Sequence, residues 1–289
     1  KIWNTQGSFN NIALHYGQEA IAKEDILHLG GEWALSSRNL LSGKINIARE
    51  KGDWYLPGES PLPIGLQDFA LDIQAENKQV KGQFNFLSKE IGKASARIAL
   101  PLLRSDSALP FSPQSPINGD LVLDVPDLSV ANKLVGDMLR VGGALEVNTK
   151  VSGTLDAPLL KGKIRGNKLA LSLVDQGLDL QKGELSAELN QSAIKITRLN
   201  FTSPFMPPPD DLLLDQVELE NKPGELNIVG TIDFADSKHQ IKTTLERISL
   251  LSPNQYWIVA SGNLDMQLKG EKLGLDGKIV ADAGLITQP

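Results

Sequence analysis

The sequence predicts an all-β protein: one long antiparallel sheet, curved, with a single short helix. Three observations predict it. Apolar residues recur with a period of two along most of the 289 residues, which puts them on one face of extended strands. A glycine falls on that apolar face again and again. The runs are separated by clusters of Asn, Asp, Gly and Pro, the residues that turns demand.

The stretch 151–164 shows the pattern twice. Val151, Gly153 and Leu155 are spaced by two, as are Leu160, Gly162 and Ile164. Pro158 sits between the copies, where a ladder donor can be spared, so the stretch reads strand, tight break, strand. Leu29-Gly31-Trp33-Leu35, Leu41-Gly43-Ile45-Ile47, Val80-Gly82-Phe84-Phe86, Ile117-Gly119-Leu121-Leu123, Ile228-Gly230-Ile232-Phe234 and Leu275-Gly277-Ile279-Ala281 repeat it. A glycine on the apolar face leaves a strand without a packing side chain there and lets it bend. The pattern fits a curved sheet with glycines at its bends, or a sheet curled around a long apolar trough.

Taken in order, residues 1–50 alternate loosely through Phe9, Ile12 and Leu14, then 26–35 and 41–47. Lys51-Gly52-Asp53 is a turn and 57–63 a loop. Strands follow at 66–75, 80–87 and 94–100. Residues 101–116 are rich in Pro and Ser and read as a loop or linker between segments 1–100 and 117–289. Beyond the strand at 117–125 the period changes. Leu128, Ala131, Leu134, Val135, Met138 and Leu139 fall at helical spacing, which predicts a helix near 127–140. Asp127 or Ser129 can cap its start, and Gly142-Gly143 can end it. From Gly143 onward alternation returns, at 145–155, 160–164, 168–174, 183–189, 193–201, 212–219, 225–234, 240–248, 256–269 and 275–281. The longest interruption is 203–211, which holds Phe205 and Met206 among prolines.

Composition narrows the function. A net charge of -6 without any Lys/Arg-rich run argues against nucleic acid. The absence of cysteine excludes disulfides and thiolate metal sites. His15, His28 and His239 are isolated and carry no metal spacing, so no metal or cofactor is expected. No phosphate loop, dinucleotide fingerprint, zinc-protease pair or nucleophile elbow is present, and no residue is expected to be catalytic. Asp120 and Asp124 alternate with Leu121 and Leu123 and should be solvated. The chain opens at Lys1 without Met, and both ends lie in strand-like sequence. This predicts a piece of a longer protein, with any anchor outside it.

What remains is the burial of apolar surface. On the order of 18–20 strands would present one dry and one wet face, and such a sheet must close, pair as a sandwich, or roll into a trough. At a spacing of ~4.8 Å the trough would run roughly 90 Å. The dry positions are Leu121 and Leu123; Leu145, Val147, Val151 and Leu155; Leu169 and Leu171; Leu185; Leu226, Ile228, Ile232 and Phe234; Leu264, Met266 and Leu268; and Ile279.

Residues 124–164 read Asp-Val-Pro-Asp-Leu-Ser, a short helix, Val-Gly-Gly-Ala-Leu-Glu-Val, then Val-Ser-Gly-Thr-Leu-Asp-Ala-Pro-Leu-Leu-Lys-Gly-Lys-Ile. This order resembles the late region of the TamB family, within the AsmA-like superfamily of bridge-like lipid transfer proteins. Gly183-Glu184-Leu185, Val229-Gly230-Thr231-Ile232 and Gly262-Asn263-Leu264 keep the same rhythm. The resemblance is close over 117–289 and one of style over 1–100. It implies a β-taco, a U-shaped sheet around a hydrophobic groove lined by the dry positions. It also implies a periplasmic, inner-membrane-anchored protein that carries phospholipid to the outer membrane, partnered by TamA, an Omp85 barrel. The alternative is an assembly factor for outer-membrane proteins and autotransporters that works by β-augmentation.

Overall fold

The computed structural model describes residues 2–14, 21–22, 25–38, 40–56, 61–102, 111–135, 138–209, 219–235, 237–252, 256–270 and 272–286. Seventeen strands are described: β1 (Trp3–Ala13), β2 (His28–Ser37), β3 (Leu41–Lys51), β4 (Tyr55–Leu56), β5 (Leu62–Pro63), β6 (Leu66–Glu76), β7 (Gln79–Ser88), β8 (Gly92–Pro101), β9 (Asn118–Val125), β10 (Leu139–Gly153), β11 (Pro158–Leu173), β12 (Leu178–Gln191), β13 (Ala193–Ser203), β14 (Gly224–Asp233), β15 (Lys238–Ser252), β16 (Tyr256–Lys269) and β17 (Lys272–Ile286). Fifteen of them form one sheet in chain order, with β1 and β17 at its two ends, unpaired with each other; β4 and β5 make a separate hairpin. The sheet is antiparallel and is not closed into a barrel.

Among the described residues the strands number seventeen, with the strand expected at 212–219 almost wholly outside them. One expectation changes. The helix is shorter: a 3₁₀ turn at Leu128–Ala131 runs into α1 (Asn132–Val135), and β10 has begun by Leu139. The Asn132 side chain donates to the Val141 carbonyl at 3.0 Å and accepts the Val141 N–H at 2.7 Å, which ties the helix to β10. The strand expected at 212–219 lies almost wholly outside the described residues, as do 103–110 of the expected linker and His15.

The chain divides into two compact units, 1–126 with 146–162, and 127–145 with 163–289. In the first, cross-strand partners keep strict faces. Phe9 stands opposite Gly31, Gly31 opposite Ile47, Ile47 opposite Leu71, Leu71 opposite Phe84, Phe84 opposite Ala96 and Ala96 opposite Leu121. One residue along, Ser8, Glu32, Asn46, Asp72, Gln83, Arg97 and Asp120 form a polar row. A buried cluster of Leu27, Leu29, Ile64 and Leu66 closes one end of this unit, with Phe9, Phe69 and Phe86 against it. The excursion at 52–65 that carries β4 and β5 is clasped by Asp53. Its carboxylate accepts N–H donors from Trp54, Gly65 and Leu66, all at 2.8 Å.

Glycines on the apolar face do more than permit bending. A Cβ at Gly7 would strike the Trp33 ring, and one at Gly31 the Phe9 ring. The same holds in the second unit for Gly183 beneath Phe201. Each missing side chain is replaced by a ring laid across from the neighbouring strand.

Candidate functional site

In the second unit the faces follow from register. Leu226 stands opposite Leu245, Ile228 opposite Thr243, Gly230 opposite Ile241 and Ile232 opposite His239. Leu264 faces Thr243, Met266 faces Ile241 and Leu268 faces His239 across the next pair. Leu199, Ile196 and Ile194 extend the same face on β13, and Leu185, Ala187 and Leu189 on β12. The opposite face carries Glu225, Asn227, Thr231 and Asp233 against Glu246, Thr244, Gln240 and Lys238.

The two ends of this apolar face differ. At the rim bearing the connections 174–177 and 204–223, Leu169, Leu180, Phe201 and Ile248 form a buried cluster, with Leu128, Leu171, Leu185 and Leu226 against it. Burying a side chain as large as Phe201 is worth about 3 kcal/mol. Register shifts at Gln181/Glu184 and Leu245/Ile248 bend β12 and β15. Lys182 and Arg247, inside those shifts, have φ of 53° and 50°. The bent ends meet beyond β13 and β14: Leu178 pairs with Leu250, and the Leu251 N–H donates to the Gly177 carbonyl at 3.2 Å. Gly177, at φ 59°, has no room for a Cβ against the Leu251 backbone. The other rim carries the turns at 192, 234–235 and 270. There the face stays open, with Phe234 61% exposed and Leu273 60%.

Polar-parity positions are not all wet. Trp257 and Val259 lie opposite Leu251 and Ser249, on the face away from Leu264, yet are 1% and 3% exposed. The 204–209 segment covers them, and the Trp257 Nε1–H donates to the Met206 carbonyl at 3.2 Å. Met206 thus tucks onto its own protein.

The dry positions read from the sequence fall in four groups, with Leu155 and Phe234 outside them. Leu169, Leu171, Leu185 and Leu226 come together in the closed cluster. Leu121 and Leu123 stand opposite Ala96 and Ala94 in the first unit. Ile228, Ile232, Leu264, Met266 and Leu268 are half-buried on the open face, and Ile279 faces Gly262 on β17, 58% exposed. Leu145, Val147 and Val151 are half-buried along β10. Leu155 is corrected: β10 stops at Gly153, and Leu155 sits in the 154–157 turn with its N–H on the Ser115 carbonyl at 3.2 Å. Phe234 lies just past β14, in a turn. His239 was not anticipated on this face, and its Nδ1 is buried without a hydrogen-bond partner.

The cross-strand ion pairs among the described residues lie on the wet faces. Asp120 pairs with Arg97 at 3.3 Å and Asp124 with Lys93 at 3.1 Å. A hydrogen bond and the charge of Lys44 hold the Glu32 carboxyl below its usual range and raise the Lys44 ammonium. Such exposed pairs contribute little to stability. Burial, with Asp25 and Asp53 nearby, pushes the Tyr55 phenol up. Among the described residues no group of His, Asp or Glu is arranged to hold a metal, and no helix is long and apolar enough to cross a membrane.

Residues 27–165 match the family described as TamB, N-terminal domain. Over these residues the chain is similar to that TamB domain. The match falls earlier than the motifs of 124–164 suggest, and on the N-terminal domain rather than the late region. Apolar–glycine alternation runs through the strands of both units, so these motifs speak for the family and not for a place within it. No curated protein and no solved structure matches the chain.

Proposed function

We propose that this chain is a periplasmic segment of a TamB-like protein whose apolar face carries phospholipid between the inner and outer membranes. One observation supports the reading above others. In each unit a mainly apolar face of Leu, Ile, Val, Phe, Ala and Gly, interrupted in the second by Thr243 and His239, runs from strand to strand in a sheet not closed into a barrel. Burying an acyl chain is worth ~0.8 kcal/mol per CH₂, so a lipid leaving a bilayer needs such cover along its path. The role asks for no catalytic group. The inner-membrane anchor would lie outside this segment, and a TamA-like Omp85 protein would receive its outer-membrane end.

The test uses parity. A photo-crosslinker at position 228, 232, 264 or 266 captures phospholipid in cells. The same probe at 231, 233, 265 or 267 does not, because one residue flips the side chain to the other face. Equal capture at both parities would remove the face assignment. Protein adducts alone from the first set would mean a closed core.

A second reading, strand addition during outer-membrane protein assembly, draws on β17. This edge strand shows Leu273, Leu275, Ile279 and Ile286 between 58% and 74% exposed, beside an edge with no described partner. Binding of an outer-membrane protein peptide in place of lipid would favour it.

A further inference from the structure

The lipid reading leaves open how an acyl chain lies on this face, and the second unit restricts the choice. We infer that a phospholipid enters at the rim that bears Phe234 and lies along β14 and β15. Its glycerol ester region sits beside His239, and its methyl end abuts the closed cluster of Leu180, Phe201 and Ile248. This inference rests on the lipid reading and adds an entrance and a polarity to it.

Three observations carry it. The first is the blocked rim: Leu178 pairs with Leu250, the Gly177 carbonyl takes the Leu251 N–H at 3.2 Å, and Leu180 and Ile248 are 1% and 4% exposed. No chain end passes there without breaking the bridge. The second is length. From His239 to Leu245 the face runs six residue steps, about 20 Å. One leaflet of a bilayer core, half of ~30 Å, is of the same order, so one acyl chain fits before it meets Phe201 and Ile248. The third is a gradient of polarity along the same strand. The dry face of β15 reads His239, Ile241, Thr243, Leu245 and Ile248 from the open rim inward. His239 stands nearest the mouth, between Ile232 and Leu268, with a buried Nδ1 that no protein group satisfies. A buried imidazole nitrogen without a partner costs stability. An ester or glycerol oxygen, or a water held by one, supplies that partner at the depth where a lipid changes from polar to apolar. Phe234, 61% exposed at the mouth, offers the apolar step onto the face.

The test uses the intact chain and phosphatidylethanolamine vesicles doped with a photoreactive analogue. One analogue carries a diazirine on the acyl carbons next to the glycerol, the other at the acyl terminus. After irradiation, adducts are mapped by mass spectrometry. The glycerol-proximal probe should label 232–241 and 266–268 at least threefold over 199–203 and 245–248, and the terminal probe should reverse the ratio. A reversed gradient, or identical labelling by both probes, overturns the inference and leaves the lipid reading standing. Adducts from neither probe remove both. A second arm exploits the absence of native cysteine. In L178C/L250C the new thiols face each other across an antiparallel pair, close enough to bridge. Oxidation should leave lipid capture unchanged. Loss of capture that a reductant restores would show entry through this rim and overturn the proposal.

Discussion

The two rims of the second unit are made of the same residue types in the same alternation, yet one is a core and the other an open surface. Leu180 and Phe201 are 1% and 8% exposed at the first, Phe234 and Leu273 61% and 60% at the second. Side-chain chemistry does not separate them. What separates them is the connecting chain: at the first rim two bulged strands converge and the 128–131 turn brings Leu128 across, while at the second the described strands end in turns. An apolar face becomes a core only where something crosses it. A single sheet can therefore hold its own fold at one end and stay available to a guest at the other.

The largest expected effect that could break this contrast is a truncation on each side of it. Phe201→Ala should cost about 3–5 kcal/mol. Ile232→Ala, on the same face but half-exposed, should cost about 1–2 kcal/mol. Urea unfolding of the two variants measures both, and equal losses would mean that the open half is packed in solution.

Gly177 and Gly270 sharpen it further, because both adopt φ 59° and differ in their surroundings. A Cβ at Gly270 meets nothing within 4 Å, whereas one at Gly177 runs into the Leu251 backbone. Gly270→Ala should lose about 1–2 kcal/mol from left-handed backbone alone. Gly177→Ala should lose about 1–3 kcal/mol more through overpacking, and should raise amide exchange at Leu251. Matching losses would deny the β12–β15 bridge.

The smallest effect concerns the turn that brings Leu128 to the closed cluster. Asp127 accepts the Ser129 N–H at 2.8 Å, and this bond holds its carboxyl below the usual range. Asp127→Ala should cost about 1 kcal/mol at neutral pH. Since the folded value is the lower one, the contribution is complete above the unfolded aspartate value of about 4. It fades as pH falls through the folded value. The gap between the wild type and the variant should close in acid, and a gap that persists would assign it to packing.

Much of this was legible in the sequence, and the exceptions have physical causes. Period two is enough to give Leu226, Ile228 and Ile232 one face and Thr231 and Asp233 the other, because β14 carries no bulge within that span. It is not enough for β12 and β15, where Lys182 and Arg247 take left-handed backbone without being glycine. Parity cannot reveal that Trp257 is buried, since its cover comes from a segment some fifty residues earlier in the chain. The β12–β15 bridge is likewise a product of convergence between distant strands, with no local signal. The helix was visible in kind but not in extent, because helical spacing runs on to Leu139, where β10 has already begun.

The rings laid over Gly7, Gly31 and Gly183 have a consequence for how strands find their partners. Alternation alone cannot tell the correct pairing of β1 and β2 from one displaced by two residues, since both keep the dry side dry. The rings can. Displacement one way would set Trp33 against Phe9 in place of Gly7, and displacement the other way would set it against Thr5. Large and vacant positions thus work as tooth and notch, and a sheet of repetitive composition acquires a numbered sequence of fits that lets each strand recognise its own neighbour during folding.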